Sequence, residues 1–468
     1  MHKKKDYKII LLLFALFILL LFLNHQNPLL LWDENSYLAN ARSHISESRY
    51  TEDYRFPLLE YIIAIAWKIT GESIFIARLT IILFTLATVY LFYLICKQHV
   101  KNSCTKVQGV LEHTRNFRAN SEISQCLSKY SLLITLFFSL NPLLLRWGFR
   151  IYNDIPSIFF ILLAYYLLLK KSIFLAGIFS ALAFLARFPL ALFPLAAGIY
   201  FLYNKKPKHL LIFSAGFAIA LFPWLLYNQL TYSSPIWDIQ NQYNVIASNT
   251  IKEPLSKHFT NIKNTLGIFT ILFAAGLFYP LKHKKHFIIS LYILLSAIYY
   301  SAFVNLKLAR YILVILPFVY LIAFNGFNSL TSSIKNKKII FLLLAIIALF
   351  TASMFFNGMG NMLHDGNCGK QGAIMQSIEY MSEKNLTYQI IITNIFPYIG
   401  YHNNLESYHL WSTNIQALLI RYHPEYFIHS NYDGTYFNRT ILDNNRYLRL
   451  EERFKGECGD EVSVYKVV

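Results

Sequence analysis

The run IILLLFALFILLLFL at residues 9–23 is apolar throughout, and it is the first of eleven such runs along the chain. A helix needs roughly 20 mostly apolar residues to cross a bilayer. The eleven runs cover residues 9–23, 74–96, 130–146, 154–169, 173–186, 189–203, 209–228, 266–281, 287–304, 311–327 and 339–357. They predict an all-α polytopic membrane module with about 11 transmembrane helices. Because no small-residue cleavage site follows the first run, we interpret it as a retained helix rather than a signal peptide.

The overall composition agrees with a membrane protein. Of the 468 residues, 55% are hydrophobic and only 15% are charged, whereas a soluble protein carries about 25% charged residues. The net charge of +18 would suit a nucleic-acid binder if the basic residues formed one face of a soluble domain. They lie instead in short clusters between apolar runs. The composition excludes one large aqueous globule, and we expect no nucleic-acid partner.

The distribution of charge predicts the orientation. With a cytoplasmic N-terminus, the inside segments hold 21 Lys or Arg against three acids, and the outer loops before the C-terminal tail hold 12 against 10. This asymmetry follows the positive-inside rule. Residues 58–67 are apolar but too short to span, and a crossing there would move the later basic clusters to the wrong face. We therefore place interfacial helices in the first outer loop, 24–73, and a polar cytoplasmic loop at 98–129.

The last part of the chain differs from the rest in composition and in hydrophobic pattern. After a transmembrane module at 1–357, residues 358–468 are charged and turn-rich, and they include strand-like runs such as YQIIIT at 388–393. They predict a small α/β domain on the outer side of the membrane. Cys368 and Cys458 both lie there, where a disulfide persists. We predict a bridge between them, the alternative being two unrelated buried thiols.

Carboxylates occur at the outer ends of two apolar helices. The first run leads into LWDENSYLA at residues 31–39, which contains Asp33 and Glu34. Ionisable groups this close to hydrocarbon usually mark a site, although a solvated helix end also carries acids. Asp154 lies at the same side in YNDIP (152–156), where it also suits a helix cap. Carboxylates that converge from separate helices can act as base, charge stabiliser or metal ligands.

Basic residues on the same outer face complement these acids. Arg187, Lys307 and Arg310 break the positive-inside rule, and a bound phosphate explains them. The other explanation is that they reach out to lipid headgroups. When a sugar phosphate breaks at the anomeric carbon, positive charge develops on the sugar and negative charge on the phosphate. The acids and the cations on the outer face therefore carry the two charges that transfer of a sugar from a phosphate requires.

The order of these motifs resembles the GT-C class of membrane glycosyltransferases. An Asp-Glu pair follows the first span, a helix starts at Pro57, an Asp precedes a Pro at 154–156, and a Lys-x-x-Arg-Tyr motif occupies 307–311. The series, over roughly residues 1–330, is most similar to the protein O-mannosyltransferase and lipid A aminoarabinose transferase group. Members of this group take a sugar from a dolichyl or undecaprenyl phosphate and pass it to an acceptor on the outer or lumenal face.

The resemblance implies a role for each matching residue. Asp33 matches the catalytic base, Glu34 its neighbour, and Asp154 a second acid in the cavity. The candidates for binding the donor phosphate are the outer-face cations and one tyrosine: Arg55, Arg187, Lys307, Arg310 and Tyr311. One base and a single displacement predict inversion at the anomeric centre.

We therefore expect a polyprenyl-phosphate-sugar-dependent hexosyl- or pentosyltransferase of the plasma membrane, or of the endoplasmic reticulum in a eukaryote. The expected partners are the lipid-linked donor, membrane lipids, and a glycan, lipid or protein acceptor. No cofactor is assigned, since Asp33 and Asp154 can bind a divalent metal or work without one. The main alternative, a transporter or flippase for a lipid-linked sugar, more often has two matching halves and charges near the midplane.

Overall fold

A computed structural model describes residues 7–52, 55–111, 130–248, 252–277, 287–331, 334, 336–370, 372–384, 389–409, 415–431 and 439–468. Most of the predicted cytoplasmic loop 98–129 lies outside these residues.

The described residues up to Lys370 form a helical module. Its elements are α1 (Tyr7–Gln26), α2 (Trp32–Ser43), α3 (Leu58–Thr70), α4 (Ile74–Leu111), α5 (Tyr130–Ser139), α6 (Pro142–Trp147), α7 (Asp154–Leu169), α8 (Ile173–Ala186), a 3-10 turn (Phe188–Ala191), α9 (Leu192–Tyr203), α10 (Pro207–Tyr232), α11 (Trp237–Ser248), α12 (Leu255–Leu266), α13 (Phe269–Leu277), α14 (Phe287–Ala302), α15 (Arg310–Leu313), α16 (Leu316–Thr331) and α17 (Lys337–Lys370). The chain is a multi-pass membrane protein, as the sequence predicts.

In the described part of the chain, four helices are long and apolar enough to cross a membrane by themselves, namely α1, α4, α10 and α17. Other apolar helices, such as α7 and α14, have fewer than 18 residues. The count of about 11 spans therefore stays a prediction.

Glycines let some of these helices approach closely. A Cβ atom on Gly177 of α8 would lie 2.1 Å from the carbonyl oxygen of Phe213 in α10. A Cβ atom on Gly216 of α10 would lie 2.2 Å from the carbonyl oxygen of Phe174 in α8. Small residues at such contacts allow the backbones to pack against each other, as is common in membrane helices.

Several predicted runs have different limits in the structure. The run at 130–146 is interrupted after Ser139, because Pro142 has no N–H to continue the helix. The side chain of Asn141 accepts a hydrogen bond from Leu143 N at 2.9 Å and caps α6. The last run, predicted to end at 357, continues in α17 to Lys370.

The C-terminal residues form a small domain around a five-stranded sheet. Its elements are α18 (Ala373–Glu383), β1 (Ile390–Thr393), α19 (Phe396–Asn403), β2 (Glu406–His409), α20 (Ile415–Tyr422), β3 (Tyr426–Ser430), α21 (Arg439–Asp443), β4 (Leu448–Lys455) and β5 (Glu461–Val467). The strand order is β2-β1-β3-β5-β4, with β1 parallel to β2 and β3, and β5 antiparallel to β3 and β4. The α/β character predicted for this region is confirmed.

Alternate residues of the central strands pack on the two faces of this sheet. Ile391 and Ile428 face a core that α18 and α19 complete. Ile392, Phe427 and Tyr465 face a second core that α20 and α21 complete. Two of the four strand pairs are parallel and two are antiparallel, and helices cover both faces of the sheet.

The domain is fastened to the helical module through α2 and α17. Trp32, at the start of α2, packs edge-on against Phe396 of α19, with ring centroids 4.9 Å apart. Near the other end of α2, Arg42 Nη1 donates to the carbonyl oxygen of Tyr401 at 2.8 Å. Cys368 at the end of α17 forms a disulfide with Cys458, their Cα atoms 5.6 Å apart. The helix that carries Asp33 therefore contacts both parts of the molecule.

Candidate active site

A cavity of about 270 Å³ lies beside the first turn of α2. Its walls come from α2, the segment before α3, the starts of α7 and α15, the ends of α8 and α14, the 3-10 turn and α11. The charged and aromatic residues that line it are Trp32, Asp33, Tyr37, Arg55, Asp154, Arg187, Tyr299, Tyr300, Arg310 and Tyr311. Residues far apart in the sequence thus meet at one place, near the predicted outer ends of the helices.

Asp33 is held between two arginines at the wall of this cavity. Arg55 Nη2 donates to Asp33 Oδ1 at 3.1 Å, and Arg310 Nη1 donates to Asp33 Oδ2 at 2.7 Å. Burial by itself would raise the pKa of Asp33, but the two guanidinium groups outweigh it and hold that pKa well below its ordinary value. The carboxyl group is ionised throughout the physiological pH range.

Aromatic rings fix the two guanidinium groups. The guanidinium of Arg55 lies over the ring of Tyr37, 4.9 Å from its centroid. That of Arg310 lies 5.2 Å from the ring of Tyr152 and 5.9 Å from that of Trp147. Such contacts orient a planar cation while leaving its edges available for hydrogen bonds.

A second ion pair lines another part of the cavity. Asp154, in the first turn of α7, pairs with Arg187, which follows the last residue of α8. Asp154 is fully buried, and the guanidinium of Arg187 lies over the ring of Tyr311, 5.4 Å from its centroid. The cavity therefore contains two carboxylates and three guanidinium groups.

This arrangement suits an anion and a nucleophile rather than a metal ion. Arg55, Arg187 and Arg310 supply the planar donors that bind phosphate oxygens. Asp33 and Asp154 are each paired with guanidinium groups, whereas a hard divalent cation prefers a cluster of oxygen ligands. Because the donor set does not fit a divalent ion, we derive no step through a metal.

Comparisons with known proteins bear on the fold. No protein-family model matches the sequence, and no curated protein sequence matches it either. The structure is similar to that of ArnT from Cupriavidus metallidurans bound to undecaprenyl phosphate, with a TM-score of 0.68, 10% identity and 98% of each chain covered. ArnT in the apo state gives a TM-score of 0.66 with 10% identity and 97% of each chain covered. The chain has the ArnT fold.

The resemblance to GT-C membrane glycosyltransferases, seen in short motifs, is thus confirmed at the level of the whole fold. Within the ArnT fold, six of the predicted site residues meet at the cavity. They are Asp33, Asp154, Arg55, Arg187, Arg310 and Tyr311. Two others, Glu34 and Lys307, do not line it.

Glu34 lies on the other side of α2, fully buried. Its carboxylate accepts hydrogen bonds from Leu31 N at 2.8 Å and Ile151 N at 3.0 Å. Arg78 Nε lies 3.3 Å and Arg150 Nη1 3.6 Å from its oxygens. The bond to Leu31 satisfies the backbone N–H of the residue that precedes α2, so Glu34 caps the start of its own helix. Glu34 therefore joins α2, α4 and the loop before α7.

Lys307 is also committed to structure. Its Nζ donates to the carbonyl oxygens of Tyr300 at 3.0 Å, of Ser301 at 2.8 Å, and of Val304. These carbonyls belong to the end of α14 and the residues after it, where helical carbonyls lack partners within the helix. Because the ammonium group is buried among them, we do not carry its predicted phosphate contact into the functional proposal.

Sequence reasoning missed the residues that support Asp33. Ser36, Tyr37 and Asn40 follow Asp33 at intervals of three, four and seven residues, so they share its face of α2. Ser36 and Asn40 donate hydrogen bonds to Glu52, which in turn accepts from Arg55, and the ring of Tyr37 lies under the guanidinium of Arg55. The spacing of these residues after Asp33 is visible in the sequence, whereas their contact with Glu52 is not.

Proposed function

We propose that the protein is a glycosyltransferase that moves a hexose or pentose from a polyprenyl phosphate to an acceptor on the outer or lumenal face. The observation that carries this proposal is the Asp33 carboxylate between Arg55 and Arg310 at the wall of a cavity in the ArnT fold. One of the similar structures is described as ArnT bound to undecaprenyl phosphate. We extend that ligand class to this chain as part of the proposal.

In the proposed reaction, an acceptor hydroxyl attacks the anomeric carbon. The bond from this carbon to the phosphate oxygen breaks, and its electron pair leaves with the polyprenyl phosphate. The proton of the hydroxyl passes to Asp33, and Arg310 and Arg55 stabilise the charge that develops on the phosphate. A single displacement inverts the anomeric configuration.

The ion pairs of Asp33 imply that the donor binds before Asp33 acts as a base. Without a donor, the two guanidinium groups hold the pKa of Asp33 low, and a carboxylate so held is a weak base. A phosphate that binds Arg55 and Arg310 competes with Asp33 for them and restores its basicity. The donor therefore prepares the base that the acceptor needs.

Asp154 and Arg187 have a different proposed part. Asp154 lines the same cavity, and its charge favours a sugar that becomes cationic in the transition state. Arg187 is already paired with Asp154. A guanidinium has five N–H donors, so Arg187 can make the phosphate contact that the motifs predicted while it stays paired with Asp154.

The test uses the full-length protein in nanodiscs with a panel of undecaprenyl and dolichyl phosphate sugars. Lipid, glycan and protein fractions of a cell envelope serve as acceptors. We expect release of polyprenyl phosphate from at least one donor, loss of this release in Asp33→Asn, and an inverted product by NMR. Asp365→Asn is the matched control, because Asp365 pairs with Arg146 away from this cavity. If no donor is cleaved but a lipid-linked sugar crosses the bilayer, the flippase alternative replaces this proposal.

A further inference from the structure

Glu52 is a buried carboxylate next to the candidate site, although it does not line the cavity. Its side chain is about 4% exposed. One carboxylate oxygen accepts hydrogen bonds from Ser36 Oγ at 2.9 Å and from the Tyr50 hydroxyl. The other oxygen accepts from Arg55 Nε. A buried carboxylate is costly unless its oxygens are satisfied, and here both have partners.

The backbone of Glu52 is fixed as well. The amide group of Asn40 donates to the carbonyl oxygen of Glu52 at 2.8 Å and accepts from Glu52 N at 2.8 Å. Ser36 and Asn40 are on α2, on the same face as Asp33. The helix that supplies the proposed base thus also sets the position of Glu52.

Arg55 connects the two acids. Its Nε donates to Glu52 and its Nη2 donates to Asp33. A guanidinium is planar and rigid, so fixing the Nε edge also fixes the direction of the Nη atoms. Glu52 therefore determines how Arg55 faces the cavity.

We propose that Glu52 is a positioning residue, which aims the Nη2 edge of Arg55 at Asp33 and at the donor phosphate. The inference rests on the proposed function for the identity of that phosphate. For the change in phosphate affinity when Glu52 loses its charge, the positioning role predicts the opposite sign to simple electrostatics. A negative charge near a phosphate site weakens anion binding, so its removal by itself strengthens binding. Loss of a positioning contact weakens binding instead.

The experiment is a double-mutant cycle on the full-length protein in nanodiscs, with undecaprenyl phosphate as the probe. Glu52→Gln keeps the size of the side chain and one of its two acceptor oxygens, but it removes the charge that holds Arg55. We expect Glu52→Gln to weaken binding about tenfold when Arg55 is present, and less than twofold in the Arg55→Gln background. The affinity of Glu52→Asp, which retains the charge, falls between those of Glu52→Gln and the unmodified protein.

Glu60→Gln is the matched control. Glu60 is also buried and also accepts a hydrogen bond from Asn40, at 2.7 Å, but it makes no hydrogen bond to Arg55. Measured at pH 8.5, above the pKa of about 7 of Glu60, this variant gives the effect of removing one buried negative charge without the contact to Arg55. Thermal unfolding of every variant separates a loss of folding from a loss of binding.

Tighter binding in Glu52→Gln, or an equal loss in the presence and absence of Arg55, overturns the positioning role. These outcomes differ from a failure of the proposed function. The proposed function fails if the protein binds undecaprenyl phosphate but cleaves no sugar donor. In that case the double-mutant cycle, which measures only binding, still decides the role of Glu52.

Discussion

Asp33 and Glu34 are neighbours in the sequence, and each is paired with two arginines, yet they have different surroundings. Asp33 lies between Arg55 and Arg310 and lines a cavity. Glu34 points to the opposite side of α2, where it is fully buried with Arg78 and Arg150. Consecutive residues on a helix are about 100° apart, so one of them can face the site while the other faces the core.

The difference shows how to separate a structural carboxylate from a chemical one. Glu34 also accepts two backbone hydrogen bonds, so its oxygens are taken by groups that cannot move away. The partners of Asp33 are two side chains that a ligand in the cavity can attract. Charge pairing alone does not distinguish the two residues, whereas access to the cavity does.

The largest expected effect concerns sugar transfer. Asp33→Asn removes the proposed base, and we expect donor cleavage to fall about a thousandfold with folding intact. Glu34→Gln should change the rate per folded molecule by less than about tenfold, because Glu34 does not line the cavity. Single-turnover cleavage, normalised to the folded fraction, checks both. Equal losses in the two variants would contradict the division between them.

The next effect concerns stability, for which substitution of Glu34 should have a larger effect than substitution of Asp33. Glu34→Gln leaves the buried Arg78 and Arg150 without a carboxylate, and breaking a buried pair costs about 3–5 kcal/mol. We expect a clear drop in the unfolding temperature in nanodiscs. Asp33→Asn should cost less than Glu34→Gln, because Asp33 is partly accessible from the cavity whereas Glu34 is fully buried. A stable Glu34→Gln protein would show that its contacts add little to the fold.

A third acid sharpens the comparison through pH. Glu60 is buried without an arginine in hydrogen-bond contact, and burial raises its pKa from 4.5 to about 7, although hydrogen bonds from His44 and Asn40 oppose this shift. Between pH 4.5 and 7, the unfolded chain has lost this proton while the folded protein keeps it. The free energy of unfolding should therefore fall as the pH rises through this window, by as much as about 3 kcal/mol.

Glu60→Gln should abolish that part of the pH dependence and make the protein more stable at pH 8. Equilibrium denaturation at several pH values measures both results. An unchanged slope in Glu60→Gln would assign the dependence to another group.

The smallest effect concerns the arginines. Arg310→Lys retains the charge but loses the planar donors that face Asp33 and the cavity, so we expect undecaprenyl phosphate to bind about tenfold more weakly. Arg150→Lys, the matched change beside Glu34, should leave binding unchanged and lower the unfolding temperature. If Arg150→Lys weakened binding more than Arg310→Lys, the phosphate would lie on the Glu34 side of α2 rather than in the cavity beside Asp33.

Local patterns predicted much of the secondary structure. The helix α3 begins at Leu58, where the apolar segment 58–67 begins. The strand-like run at 388–393 contains β1. These elements depend on hydrophobic spacing, which is visible within a few turns of sequence. Orientation in the membrane, the number of spans and the domain limits stay predictions.

The candidate site was only partly predictable, because its parts depend on distant partners. The sequence does not show that Glu34 meets Arg78 and Arg150, or that Lys307 turns toward the end of α14. An arginine inside an apolar run, such as Arg78, does indicate that some buried acid must pair with it. Which acid it is depends on the packing of helices, and this information is not local.

The helix α17 has 34 residues, so at 1.5 Å per residue it is about 51 Å long. The hydrocarbon core of a bilayer is only about 30 Å thick, so about 20 Å of this helix extends beyond it. The extension ends at the disulfide that joins it to the C-terminal domain. The C-terminal domain is thus joined by a disulfide to the end of one continuous helix, which limits how far the domain can move relative to that helix.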